Sequence, residues 1–168
     1  MTVREVVLAP ADVLSRSAAD VDPLDPATVA LAKDLIDTVR AAPGSVGVAA
    51  PQVGEPYRLF VLDVTGHRKA RSCAGLVVLA NPVLLEADDA AVGREGCMSV
   101  PDLTGDVRRP RHLVVRGLVP GTGEERTYTA DAFEARAFAH ELDHLAGLLF
   151  LDRVDGAHAI YPRKRYQR

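Results

Sequence analysis

Apolar residues recur at helical spacing in two stretches of the chain and cluster into short runs in several others. Between Asp25 and Gly44, Val29, Ala32, Ile36 and Val39 fall on one face of a helix. Asp25 stands where an N-cap belongs, Pro26 suits the first helical position, and Pro43-Gly44 ends the segment. SVGVAAPQVG (45–54) is built of small residues and broken by Pro51, which predicts a turn or an irregular strand. RLFVLDV (58–64) and LVVLANPVLLE (76–86) have the apolar runs of strands, and the polar TGHRKARSCAG between them reads as a surface loop. HLVVRGLV (112–119) and ERTYTA (125–130) flank Pro120-Gly121-Thr122-Gly123, a hairpin signal. A second helix then starts at Asp131, whose spacing to Glu134 is that of a capping box, and ends at Gly147 in the C′ position. A helix, a run of strands and a second helix predict an α+β fold with mixed or antiparallel strands, rather than a doubly wound parallel sheet.

At 168 residues the expectation is a single domain, 1–168, large enough to bury a core without staples. A net charge of −3 argues against DNA or an anionic membrane as the main partner. No apolar run approaches the ~20 residues that span a bilayer. Arg4 and Glu5 interrupt the place where a secretory h-region would begin, so a cytoplasmic location is expected. The two cysteines, Cys73 and Cys97, are then free thiols or metal ligands rather than a disulfide framework.

The candidate chemistry lies in the second helix, AFAHELDHLAGLLF (137–150). His140 and His144 are four residues apart, about 40° round the helix and ~6 Å along it, so both imidazoles can reach one ion. Glu141 follows the first histidine and can serve as an acid–base group beside a metal-activated water. The competing reading is a solvated helix face, but Phe138, Leu142, Leu145, Leu148 and Leu149 make this helix largely apolar. Burying an unpartnered His-Glu-Asp-His set there would be costly. Asp143 either orients a ligand histidine or pairs at the surface.

Two histidines do not complete a metal site. Gly147 has the offset of the protease pattern H-E-x-x-H-x-x-G-x-x-H, but Phe150 stands where the third histidine would be. No glutamate follows Glu141, which removes the zinc-protease arrangement with a downstream glutamate ligand. Asp152 and Asp155 remain as an aspartate variant, although both read more simply as part of the turn LDRVDG. Upstream stand His67 and Cys73 in the charged loop, His112 at a strand start, and Cys97 in GREGCMSVP. Gly93, Gly96 and Pro101 give that last segment the look of a tight turn. A Cys97 thiolate would complete a Cys-His-His set with an open fourth position; a buried inert cysteine is the alternative.

GVAAPQ, EGCMS and HELDH occur in the order and with the separations of three motifs of the peptide deformylase family, which the chain resembles. ANPVLLE, VPDLTGDVRRP and ARAFAHELDHLAGLLFLDRV extend the likeness to roughly residues 25–155. The resemblance implies strands packed around a central C-terminal helix, and a hydrolase that removes the formyl group from the formyl-methionine of nascent polypeptides. It implies Cys97, His140 and His144 as ligands, Glu141 as acid–base residue, and Gln52 with the Met98 backbone N–H as donors to the formyl oxygen. Gly47 matches the backbone that aligns the substrate, and Glu95 and Arg109 a supporting ion pair. Val46 and Phe133 are walls for the methionine side chain or members of the core. Fe²⁺ is implied as the physiological metal, with Zn²⁺, Ni²⁺ or Co²⁺ as substitutes.

Three positions depart from the family pattern. Ser45 replaces a glycine, Ala139 a frequent glutamine, and Thr104 an arginine that contacts the peptide in some members. Two other readings stay open: a metal-dependent endopeptidase with an aspartate ligand, and an inactive peptide-binding paralogue. The basic tail, 163–168, carries four cations in six residues; it is a solvated end or a weak ribosomal RNA contact.

Overall fold

The computed structural model describes residues 2–164. Helix α1 (Pro26–Ala41) precedes strands β1 (Gly47–Ala49), β2 (Leu59–Leu62), β3 (Val77–Cys97), β4 (Val100–Leu118) and β5 (Glu125–Asp131). Helix α2 (Ala132–Leu145) and a short strand β6 (Ile160–Pro162) complete the order. One sheet runs β1-β2-β3-β4-β5, with β6 added to β4, and every strand pair in it is antiparallel.

Alternation along β1 and β2 puts the two helices on opposite faces of the sheet. Ala49, Phe60 and Leu62 pack with Phe138 and Leu145 of α2. The intervening Val48, Leu59 and Val61 pack with Leu31, Leu35 and Val39 of α1. Phe60 and Phe138 meet edge to face, with ring centroids 5.9 Å apart, which fixes the height of α2 over the sheet. Asp25 caps α1 by accepting the Ala27 N–H at 2.8 Å. Gly147, at φ 75°, ends α2 in a Schellman motif. Its N–H bonds the His144 carbonyl at 3.2 Å, and the Leu148 N–H bonds the Asp143 carbonyl at 2.9 Å.

Three expectations are corrected. The buried stripe of α1 is Thr28, Leu31, Ala32, Leu35, Thr38 and Val39, so the face is rotated and Val29 is exposed. The segment around Cys97 is not an isolated turn. It is the end of a 21-residue strand whose hairpin partner, β4, begins at Val100, leaving Met98-Ser99 as the turn. Glycines at 93 and 96 suggested a break, but ladder pairing with Val107 and Thr104 overrides their weak strand propensity. The capping box at α2 does not form. Asp131 makes no side-chain cap bond, and Glu134 instead accepts the Ala74 N–H at 2.7 Å, tying down the 65–75 loop.

Candidate metal centre

The β3–β4 hairpin brings Cys97 beneath α2, whose successive turns present His140 and His144. One donor atom from each lies within 4.8 Å of the others. The Cys97 thiol Sγ and His144 Nε2 are 3.3 Å apart, and the two imidazole rings meet at 81°. Metal–ligand bonds of about 2.0–2.3 Å at tetrahedral angles require donor separations of roughly 3.3–4 Å, so the set fits one ion with little movement. Cys97 and His144 are almost fully buried. Burial first, then the charges of His140 and Arg109, hold His144 well below its ordinary pKa, in the neutral form that ligates metal. His140 bonds Glu95 Oε2 through Nδ1 at 3.0 Å, leaving Nε2 for an ion. Burial alone would lower the pKa of His140. Its bonds to Cys97 and Glu95 and the charge of Glu141 outweigh that and raise it to about 10.

Behind the histidines lies a buried charge network. Arg109 on β4 donates to both oxygens of Glu95, at 2.9 and 3.0 Å, and to Asp143 on α2. Arg136 adds a bond to Glu95 Oε1 at 2.7 Å, and Arg153 two bonds to Asp143 at 2.7 and 3.1 Å. Burial alone would raise the pKa of Glu95, but the bonds from His140 and Arg109 win and hold it at about 2. Among the described residues the Asp143 carboxylate pairs with Arg109 and Arg153 and not with a histidine ring. It anchors the α2 end of the bridge from helix to hairpin. Arg109→Leu leaves two buried carboxylates short of their shared cation and is expected to cost about 3–5 kcal/mol. Urea unfolding with unchanged m-value measures it; a loss below about 1 kcal/mol would show the network to be dispensable.

Glu141 is 3% exposed, and burial, the leading cause, raises its pKa to about 7. Its Oε2 is buried without a hydrogen-bond partner. Gly47 explains how the carboxylate fits. A β-carbon at Gly47 would lie 2.5 Å from Glu141 Oε1 and 3.1 Å from the Val61 carbonyl. Gly47→Ala is therefore expected to displace Glu141 and lower kcat on the order of 10²-fold, the cost of about 1 Å of misplacement. Metal content measured beside kcat checks it, since the ligands do not touch this position. Gln52 is also buried. Its Oε1 accepts the Ala49 N–H at 3.0 Å, and its Nε2 lies 3.3 Å from Cys97 Sγ and 3.2 Å from Ser99 Oγ.

These groups open into a cleft of about 400 Å³, at the small end of the range that accepts a drug-sized ligand. Val46, Gly47, Gln52, Met98 and Phe133 line it, with Arg94, Arg136 and Arg163 around it. Ser45 Oγ donates to the Gly47 carbonyl at 3.1 Å, Ala139 packs on the α2 core, and Thr104 lines the cleft. Several residues raised by the sequence lie elsewhere. Cys73 is exposed, His112 pairs with Asp131 at 2.8 Å, and Asp152 accepts the Leu149 N–H at 2.7 Å. His67 stacks flat on Phe133, with centroids 3.7 Å apart and planes 7° from parallel. Neither that stack nor the approach of Arg163 left a signal in the sequence, because both join segments far apart in the chain.

A family model described as polypeptide deformylase matches residues 3–159. The chain is 36% identical over 155 residues to a peptide deformylase of Agrobacterium fabrum, covering 92% of this chain and 88% of that protein. It is 39% identical over 165 residues to one of Desulforudis audaxviator, covering 98% and 99%. The crystal structure of peptide deformylase from Thermotoga maritima superposes with a TM-score of 0.82 at 31% identity, covering 93% of this chain and all of that one.

Proposed function

Because the chain belongs to the polypeptide deformylase family, we propose that its metal-dependent removal of the formyl group from nascent polypeptides runs through Cys97, His140 and His144 as ligands. Glu141 acts as the acid–base residue. The observation that carries this reading is the convergence of three donor atoms within 4.8 Å, beside a buried carboxylate with an unpartnered oxygen. A divalent metal held there supplies a water acidic enough to react near neutral pH, and Lewis acidity toward the formyl oxygen.

The chain's own groups do the rest. Glu141 Oε2 accepts the proton of the attacking water and passes it to the departing amine nitrogen. The Gln52 side-chain N–H and the Met98 backbone N–H donate to the formyl oxygen as charge builds on it. For this Gln52 exchanges one of its two long bonds, to Cys97 Sγ or Ser99 Oγ, for the substrate. Gly47 aligns the peptide backbone, and Val46 and Phe133 wall the methionine side chain. Glu95 and Arg109, with Asp143, hold the histidine-bearing helix against the hairpin.

We assign Fe²⁺ as the working metal, within one catalytic domain spanning 1–168. Among the described residues no helix is long and apolar enough to cross a membrane, and nascent formylated chains make the cytoplasm the place of action. A weak ribosome contact is assigned to the tail 163–168, in which Arg163 is turned to the cleft and 165–168 lie outside the described residues. Loss of cosedimentation with ribosomes on deleting the tail tests that contact.

The test of the activity is turnover of formyl-Met-Ala-Ser followed by release of the free amine. Activity is expected to decay in air and return with Fe²⁺ or Ni²⁺. Full activity in the presence of a chelator would sink the metal reading. An absence of turnover by the metal-loaded protein would favour an inactive peptide-binding paralogue.

A further inference from the structure

Three guanidiniums line the cleft, and two of them are matched. Arg94 pairs with Asp106 at 2.7 Å and lies 3.6 Å from the centroid of the Tyr161 ring. Arg136 is spent on Glu95 and on the carbonyls of Ala91, Gly93 and Val107. Arg163 is different. Among the described residues its guanidinium forms no ion pair, and its side-chain hydrogen bond is to the Cys97 carbonyl at 3.3 Å.

The approach of Arg163 is built into the fold. Strand β6 pairs with β4, Thr104 opposite Tyr161, and the Arg163 N–H continues the ladder by bonding the Asp102 carbonyl at 2.7 Å. That fixes where the side chain starts. Its end lies against Gly96, where a β-carbon would overlap the guanidinium. Thr104, a short residue, also lines the cleft, and the Arg94 guanidinium comes within 3.4 Å of its hydroxyl. The result is one surplus cation held beside the ligand-bearing end of β3, in a chain whose net charge is −3. Such a charge beside a cleft with polar backbone selects a planar anion.

We propose that Arg163 is a specificity-determining residue that binds a carboxylate on the peptide just downstream of formyl-methionine. The carboxylate is an acidic side chain or, in a short peptide, the chain terminus. The proposal rests on the deformylase reading of the same cleft. A charge-assisted bond at a part-buried site gives about a tenfold preference.

The test compares formyl-Met-Ala-Glu-amide, formyl-Met-Ala-Gln-amide and formyl-Met-Ala as acid and amide. The wild-type protein is expected to favour the anionic member of each pair about tenfold in kcat/KM. The difference should fall in KM and shrink as salt rises. The two pairs separate the side-chain source from the terminal one. Arg163→Gln should bring the ratio close to one, and Arg163→Lys should keep part of it. A structural role would lower every substrate equally and leave the ratio untouched. A wild-type ratio near one, or a ratio that survives Arg163→Gln, would overturn the proposal. So would a uniform rise in activity on Arg163→Gln, which would mean the guanidinium obstructs the cleft. Calorimetric binding of the deformylated products gives the same ratio without turnover. A failure of the deformylase reading is thereby distinguished from a failure of this one.

Discussion

Cys97→Ala is expected to abolish stoichiometric metal binding and, with it, turnover of formyl peptides. The two remaining donors, His140 and His144, lie on adjacent turns of one helix, and a pair of neutral imidazoles supplies no charge to hold a dication. The thiolate supplies both the third bond and the only formal charge in the donor set. The change is small for the fold. Cys97 packs with Val100, Val107 and Phe150, and removing one sulfur from that cluster costs about 1 kcal/mol. Gln52 keeps its bond to Ser99 and to the Ala49 N–H. A folded, metal-free, inactive protein is therefore the expected product. Far-UV circular dichroism, elemental analysis after dialysis and amine release measure the three properties separately. One equivalent of metal retained by the alanine variant would eliminate Cys97 as a ligand and return the search to an aspartate.

The helices and the HELDH set were legible because their signals are local. Asp25-Pro26 at one helix start, Gly147 at the other helix end and the i, i+4 histidines each depend on residues within one or two turns. Cys97 was reachable by elimination and by the order of three motifs, although nothing local distinguishes a ligand thiol from an inert one. What could not be read depends on pairing across the chain. β3 and β4 are a long hairpin because residues 83–97 find partners in 100–116, an interaction that single-strand patterning cannot weigh against glycines at 93 and 96. Strand β6 is three residues long and exists only because β4 offers it an edge. For Gly47 the resemblance implied alignment of a substrate backbone; that the Glu141 carboxylate fills the space beside it depends on a contact across the chain.

Asp143 makes the same point for charge. Its position in HELDH allowed either contact with a histidine or pairing at the surface, and it instead joins the site through Arg109 and Glu95, from α2 to β4 to β3. The relay sets the orientation of His140 from behind, by a carboxylate that His140 itself and Arg109 hold in its ionised form. The sequence left Asp143 open between orienting a histidine and pairing at the surface; its arginine partner, 34 residues away, was not readable.

Glu141→Gln separates chemistry from metal binding and is expected to lower kcat by about 10²–10⁴-fold, the range for loss of a general acid–base group. Glutamine has the shape of the native side chain and keeps the contact with Gly47, so neither the helix nor the ligands need move. What disappears is the basic oxygen. Oε2 is buried without a hydrogen-bond partner, so no hydrogen bond to it is broken when it becomes an amide. An amide N–H₂ placed at that buried point lacks an acceptor and costs about 1–3 kcal/mol of stability. The loss is set by desolvation and is separable from kcat by thermal unfolding. KM should change little, because the group acts on the proton in flight rather than on the bound peptide. Metal content should stay at one equivalent, the reverse of the result for Cys97→Ala. A glutamine variant with kcat within tenfold of wild type would remove Glu141 from the mechanism and leave the metal and the oxyanion donors to account for the rate alone.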